Sequence, residues 1–176
     1  METRIRSMSA QDVPAVTRLL ARIKGFSLED QALALELVEA YLCDPQQGDY
    51  ACIVASGRDD TPAGYACYGP TPLTEATYDL YWIAVDPAFA GQGIGTRLLQ
   101  RMEELVLAAN GRLIVIETSS CPEYAASRRF YLKNGYNSAE TIRDFYRDGE
   151  DRVTYVKRVK GSSVGLRSGP AAGADG

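Results

Sequence analysis

The stretch Trp82–Val106, WIAVDPAFAGQGIGTRLLQRMEELV, runs from a hydrophobic strand through three glycines directly into an amphipathic helix. The glycines stand at every second position, at Gly91, Gly93 and Gly95. A turn alone needs only one glycine. Three glycines therefore suggest that another group must approach the backbone closely where this helix begins.

The helix that follows the glycines is predicted to pack on the sheet and to offer an anion site at its start. Its N-terminus carries unpaired backbone N–H groups and the positive end of the helix dipole. Small residues before it let a phosphate reach those groups, so we interpret the glycines as a phosphate or pyrophosphate cradle. The stripe of apolar residues at helical spacing consists of Ile94, Leu98, Leu99, Met102, Leu105, Val106 and Ala109.

Two common phosphate-binding motifs do not fit this segment. A P-loop ends in Gly-Lys-Ser/Thr, whereas Gly95 is followed by Thr96 and Arg97. A dinucleotide fingerprint that starts at Gly91 would need a third glycine at position 96. The cradle therefore belongs to another class of protein.

Composition narrows the chemistry further. The 176 residues contain no histidine, which excludes Ser-His-Asp, Cys-His and histidine-ligated metal sites. Cys43, Cys52, Cys67 and Cys121 show no CxxC spacing, so we expect reduced thiols, no metal and a cytoplasmic location. A net charge of -4 argues against nucleic acid as a partner, and the absence of an apolar run of about 20 residues argues against a membrane.

The order of predicted elements is βααβββαβαββ, in one domain over residues 1–160 with a flexible tail over 161–176. This order predicts an α/β (α+β) fold with a mixed, mostly antiparallel sheet flanked by about four helices. The glycine-opened helix is the crossover of a βαβ unit, and such units place ligands at the carboxyl ends of their strands.

Two segments carry a resemblance to a known family. Tyr81–Glu103 resembles motif A of the GNAT superfamily of acyl-CoA-dependent N-acetyltransferases, and RRFYLKNGY (128–136) resembles its second signature. The element order agrees over about residues 2–160. Two positions depart from the pattern: Ala90 replaces the usual Arg or Gln, and Tyr124 replaces a frequent Asn. The matching residues are Val85, Pro87, Gly93, Gly95, Leu98 and Leu99 in the first segment and Phe130, Tyr131, Gly135 and Tyr136 in the second.

The resemblance implies an N-acetyltransferase that uses acetyl-CoA as cosubstrate. It implies that the backbone N–H of Val85 hydrogen-bonds the thioester carbonyl, as an oxyanion site does. It also implies that Tyr131 faces the coenzyme sulfur as general acid, a role that suits a phenol. The implied coenzyme contacts lie at the strand end (Ile83, Ala84 and Val85) and in the pyrophosphate loop (Gly91, Gln92, Gly93, Ile94, Gly95 and Thr96).

The general base is less defined. Asp79 lies six residues before Val85, and this even spacing places both side chains on one face of a regular strand. Some histone-acetylating members of the superfamily have a glutamate at the matching position, acting through water. Glu117 on the next strand is an alternative base, and bulk solvent is a third.

The acceptor cannot be identified from the sequence. Small amines, amino acids and protein N-termini remain open, and the loop Lys24–Leu28, the segment YGPTPLTEATY (68–78) and the final hairpin are expected to select among them. Several acids, among them Glu75, Asp79, Asp144 and Glu150, favour a cationic amine. A non-catalytic acyl-CoA sensor on the same fold is the alternative function. Oligomeric state stays open, a homodimer included.

Overall fold

Residues 3–57 and 59–159 are described by the computed structural model, and they form seven strands and four α-helices in the predicted order. The strands are β1 (Arg4–Ser7), β2 (Ala51–Ser56), β3 (Pro62–Pro70), β4 (Thr77–Val85), β5 (Leu113–Ser119), β6 (Asn137–Arg147) and β7 (Glu150–Arg158). The helices are α1 (Val13–Leu20), α2 (Leu28–Cys43), α3 (Ile94–Ala108) and α4 (Ala125–Lys133). The predicted tail, residues 161–176, lies outside the described residues.

Three short 3₁₀ turns precede helices or follow strands and were not expected from the sequence: Ala10–Asp12, Pro87–Phe89 and Pro122–Tyr124. Ser27 and Asp30 form a capping box at the start of α2. The Asp30 backbone N–H donates to the Ser27 hydroxyl, and the Ser27 N–H donates to the Asp30 carboxylate at 2.8 Å. The capping box gives hydrogen-bond acceptors to two backbone N–H groups and fixes where α2 begins.

All seven strands form one sheet in the order β1-β2-β3-β4-β5-β7-β6. The β4–β5 pair is parallel, and every other pair in the described residues is antiparallel. This confirms the mixed, mostly antiparallel sheet. Helix α3 connects the two parallel strands, as a crossover must.

Hydrophobic cores cover both faces of the sheet. The core on the α3 face contains Leu98, Leu99 and Met102, each fully buried against strand residues such as Ile114 and Ile116. The core on the α1 and α2 face contains Val16, Leu19, Leu20, Ala34 and Val38. Because both faces are covered, β3 is buried along its whole length except at Pro70.

Strand β4 contains a β-bulge at its middle. Opposite it on β3, Cys67 pairs with Trp82 and Tyr68 pairs with Leu80, so Tyr81 is an extra residue without a partner of its own. A bulge resets the alternation of side chains along a strand. Leu80 and Val85 therefore both face the α3 core, whereas Tyr81, Trp82 and Ala84 face the other core.

The prediction that Asp79 and Val85 share one face of the strand is wrong for this reason. Even spacing preserves the face only in a regular strand. Because of the extra residue at Tyr81, the side chain of Asp79 lies on the face opposite Val85. Thr77 lies on the same face as Asp79, and Ile83 lies on the same face as Val85.

The parallel pairing of β4 and β5 stops at the same place. It runs from Thr77–Leu113 to Leu80–Ile116 and no further. Beyond that point β4 continues along β3 to Val85, while β5 continues along β7 to Ser119. The two strands therefore diverge, and the sheet opens between their carboxyl ends.

Candidate functional site

A cavity of about 890 Å³ occupies the opening between β4 and β5. Its walls come from the α1–α2 connection with the start of α2, from β4 at Tyr81–Ile83, from β5 at Glu117–Ser119, from the start of α4 and from the β6–β7 hairpin. A volume of this size is typical of a ligand site. It lies at the carboxyl ends of parallel strands, where the sequence predicted it.

Backbone donors of β4 point into the opening. The Asp86 N–H donates to the Ala63 carbonyl at 2.8 Å, so this pair is a hydrogen-bonded pair of the β3–β4 ladder. Such pairs alternate along an antiparallel ladder. The next pairs, Val85 with Gly64 and Ile83 with Ala66, exchange no hydrogen bonds, and the N–H groups of Val85 and Ile83 are directed away from β3, towards β5.

The glycine loop adopts a conformation that only glycine holds easily. Gly91 and Gly93 have φ of +77° and +76°, in the left-handed region. A side-chain carbon built on either residue would meet no protein atom within 4 Å. The backbone there requires glycine, and the space above it is open.

Helix α3 begins directly at this open space. Gly93 is the N-cap of α3, and the first intrahelical bond runs from the Arg97 N–H to the Gly93 carbonyl. The preceding N–H groups, of Ile94, Gly95 and Thr96, have no intrahelical acceptor. The first turn carries no acidic residue and Gly93 no capping side chain, so these donors stay available to an anion.

The loop, the strand end and α4 meet at Gly95. A carbon built there would lie 3.4 Å from the Phe130 ring and 3.6 Å from the Val85 side chain. The next residue on α4 is Tyr131, which lines the cavity and is 7% exposed. Val85, the glycine loop and Tyr131, which the sequence placed in three separate elements, are thus neighbours in space.

Tyr131 keeps its proton. Its ring packs against Tyr136 and Tyr155, with the Tyr155 ring centre 5.8 Å away. Burial raises the pKa of Tyr131 above its usual value, with a smaller contribution from Tyr124 and Tyr155. Its hydroxyl makes no hydrogen bond with the described residues. The phenol is therefore a protonated donor at neutral pH.

Glu117 lines the same cavity, from the β5 side. Its carboxylate lies 3.2 Å from the Arg152 guanidinium and its side chain is 46% exposed. Thr118 and Ser119, the residues after it, also line the cavity. A carboxylate that is open to water and faces the cavity can accept a proton through that water.

Asp79 lies elsewhere. Its carboxylate accepts a hydrogen bond from the Thr71 hydroxyl at 2.8 Å, and it is not among the cavity-lining residues. The structure brings Tyr131 and Glu117 together, and it leaves Asp79 near the opposite end of β4.

Several contacts in the cavity wall were not expected from the sequence. Ser119 donates to the Glu150 carboxylate at 2.5 Å, and Tyr124, at the frequent Asn position, donates to the Gly25 carbonyl at 3.3 Å. Arg147 and Tyr146 line the cavity from the hairpin. These positions are far apart in the chain, so no local pattern marks them. Of the three segments expected to select the acceptor, the α1–α2 connection and the final hairpin line the cavity, and residues 68–78 do not.

Arg128 has a structural place. Its guanidinium donates to the carbonyls of Ser119 and Cys121, at 2.6 and 2.9 Å. It thereby fixes the turn between β5 and α4. The described residues contain no group of His, Cys, Asp and Glu arranged to hold a metal ion. No described helix is long and apolar enough to cross a membrane.

Comparison with known proteins identifies one matching family and several relatives. The sequence model of the Acetyltransferase (GNAT) family matches residues 14–136. The N-alpha-acetyltransferase RimI of Mycobacterium tuberculosis is 36% identical over 93 residues, covering 52% of this chain and 54% of the relative. An uncharacterised protein of Mycobacterium leprae is 33% identical over 131 residues, covering 72% of this chain and 28% of the relative. The chain thus spans about half or less of the length of these curated relatives.

Solved structures show the same fold over nearly the whole chain. A Desulfovibrio desulfuricans protein described as a GNAT-family acetyltransferase is 39% identical, with a TM-score of 0.86 over 90% of this chain and 100% of that one. The ribosomal-protein-S18-alanine N-acetyltransferase of Escherichia coli is 21% identical, with a TM-score of 0.73 over 94% and 99%. A Salmonella typhimurium structure that contains acetyl-CoA is 20% identical, with a TM-score of 0.71 over 92% and 96%.

Proposed function

The chain belongs to the GNAT family of acetyltransferases, and from this premise we propose that it transfers an acetyl group from acetyl-CoA to a primary amine by direct attack. The observation that carries the proposal is the meeting of three groups at one opening: the outward N–H of Val85, the start of α3 at Gly93, and the cavity-lining Tyr131. Acetyl-CoA supplies the acyl thioester when bound.

The residues present fit such a cosubstrate. The free N–H groups of Ile94, Gly95 and Thr96 face open space above two left-handed glycines, which suits a pyrophosphate. The N–H groups of Ile83 and Val85 are not paired with β5. They can therefore hydrogen-bond an extended ligand chain that contains amide groups. Ala84 faces the core behind them and shapes this strand end.

We assign one residue to each step of acyl transfer. The Val85 N–H donates to the carbonyl oxygen as negative charge develops on it. Tyr131 gives its proton to the departing thiolate, because the phenol is neutral and borders the cavity. Glu117 accepts, through water, the proton that the acceptor's ammonium group loses before the free amine attacks the thioester.

Glu117 and Asp79 both remain candidates for the base, and the position of the two carboxylates favours Glu117. Glu117 lines the cavity with Tyr131, and Asp79 does not. We assign to Asp79 the positioning of the loop before β4, through its bond to Thr71.

The fold does not determine the acceptor. Structures of this fold include, by their names, an enzyme for an alanine of ribosomal protein S18 and an aminoglycoside 6'-N-acetyltransferase. Both peptide and small-molecule amines therefore come into consideration for this chain.

The direct test incubates the protein with acetyl-CoA and a panel of primary amines and measures free thiol. Thiol release that depends on the amine supports the proposal. Binding of acetyl-CoA in a thermal-shift experiment without thiol release for any amine would instead favour a non-catalytic sensor.

The cradle is tested by Gly93→Ala, with Gly48→Ala as a matched control. Both glycines have positive φ, +76° and +86°, and open space around an added carbon. Each substitution should cost about 1–2 kcal/mol of stability from the left-handed backbone alone. Only Gly93→Ala should weaken CoA binding, by roughly tenfold or more, because only its methyl group stands among the free donors of α3. If calorimetry gives the two variants equal CoA affinity, the glycines serve only to form a turn.

The base is tested by the pH dependence of two variants. Glu117→Gln should lower kcat/KM by about 10²-fold near neutral pH, the usual effect of a general base. The deficit should shrink as the pH approaches the amine's own pKa, since the free amine then needs no base. Asp79→Asn should stay within about threefold of the parent at every pH, and the reverse ranking of the two variants would return the role to Asp79.

The acid is tested by Tyr131→Phe, which should lower kcat by roughly tenfold or more and leave acetyl-CoA affinity within a few-fold. The control is Tyr155→Phe, because Tyr155 belongs to the same aromatic cluster and does not line the cavity. Since burial raises the pKa of Tyr131, its proton is retained as the pH rises, and the parent should lose no activity through this group near pH 10. If both variants keep the parental kcat, the phenol of Tyr131 only packs.

A further inference from the structure

The charged residues that line the cavity carry a formal net charge of -4, which equals the net charge of the whole chain. Five carboxylates line the cavity, and Arg147 is the one basic residue among the described residues that line it. The sequence has 23 acidic and 19 basic residues, so 18 of each sign remain elsewhere and balance. A concave, low-dielectric wall focuses the field of such a cluster and concentrates cations. The five carboxylates are those of Glu29, Asp30, Glu117, Glu123 and Glu150.

Aromatic and aliphatic side chains line the same cavity as these carboxylates. Phe26 and Trp82 meet edge to face with ring centres 5.3 Å apart, and both line the cavity. Leu33 and Tyr146 line its mouth and are about half exposed, at 51% and 48%. Such surfaces hold hydrocarbon chains by burial, and the ring faces attract cations. The lining suits a ligand that combines positive charge with an aliphatic segment.

Glu150 is the only buried carboxylate among these five. Its side chain is 12% exposed and accepts the Ser119 hydroxyl at 2.5 Å. The hydrogen bond from Ser119 is the main reason that the pKa of Glu150 is lowered, with Cys121 and Arg147 adding to it. The carboxylate is therefore charged at neutral pH and fixed in position.

Glu150 already forms an ion pair with Arg147. The Arg147 guanidinium lies 2.6 Å from the second carboxylate oxygen, across the two-residue turn of the β6–β7 hairpin. The Arg147 side chain is 75% exposed, so the pair is a surface ion pair on the arginine side. Such pairs contribute little net free energy, and Arg147 can leave at little cost.

We propose that the amine acceptor carries a second cationic group, separated from the reacting amine by an aliphatic segment, and that Glu150 binds this second cation in exchange for Arg147. The inference rests on the proposed acetyltransferase function and specifies the acceptor of the same site. One amine loses its proton near Glu117 and attacks the thioester, while the other stays charged at Glu150. Arg147 occupies the place of the second cation when no acceptor is bound.

The test compares aliphatic diamines with monoamines of equal carbon-chain length, for example putrescine with butylamine and cadaverine with pentylamine, and adds spermidine as a longer polyamine. Free thiol from acetyl-CoA gives kcat/KM for each. We expect the diamine to exceed its monoamine by roughly tenfold or more at one or more chain lengths, the effect of one charge-assisted contact.

Three variants locate the second cation. Glu150→Gln should bring the diamine-to-monoamine ratio down towards one. Arg147→Gln should raise that ratio several-fold, because it removes the competing cation and leaves Glu150 in place. Glu29→Gln is the matched control: it removes the same charge from the same cavity at an exposed residue without an ion pair, and should change the ratio less than threefold. Circular dichroism checks the folding of each variant.

Three results would overturn the proposal: a ratio near one at every chain length, an equal fall of the ratio in Glu150→Gln and Glu29→Gln, or a ratio that does not rise in Arg147→Gln. The last result decides the matter even if Glu150→Gln does not fold, since Arg147 is largely exposed. In all of these cases monoamines would still release thiol. Failure of the proposed function would differ, because no amine would then release thiol at all.

Discussion

The divergence of β4 and β5 after Leu80 and Ile116 is the constraint on which the rest of the site depends. Parallel strands that stayed paired would bond the N–H groups of Ile83 and Val85 to β5 and close the sheet. The bulge at Tyr81 lies at the point of separation and increases the local twist of β4. One extra residue thus frees two backbone donors and opens a cavity in the middle of a continuous sheet.

The opening also separates two surfaces of different charge. On the α3 side, left-handed glycines and free helix donors form a surface that suits a phosphate, with no acidic residue in the first turn of the helix. Carboxylates and aromatic rings from α2, β5 and the hairpin line the cavity and suit an amine. The surfaces that suit an anion and a cation therefore belong to different elements, on either side of the end of β4. We infer that this separation lets two oppositely charged reactants bind together.

The sequence was sufficient for the fold and for locating the glycine loop before α3. Hydrophobic periodicity and turn residues predicted the element order that the structure confirms. The spacing of Gly91 and Gly93 indicated close access to the backbone, and the structure leaves open space above both residues. These features are local, because a few neighbouring residues determine them. The position of Asp79 could not be predicted, since a bulge has no signature in a strand of mixed polarity such as TYDLYWIAV. The cavity wall was equally out of reach, because Ser119, Tyr124 and Glu150 meet only through the tertiary fold.

Amide hydrogen exchange along β4, followed by NMR with and without saturating acetyl-CoA, tests the central claim most directly. In the free protein the N–H groups of Ile83 and Val85 should exchange faster than those of Ala84 and Asp86, which the β3 ladder holds. Acetyl-CoA should slow the exchange of Ile83 and Val85 and leave Ala84 and Asp86 nearly unchanged. Equal protection of all four amides in the free protein, or no change at Ile83 and Val85 on saturation, would contradict the account.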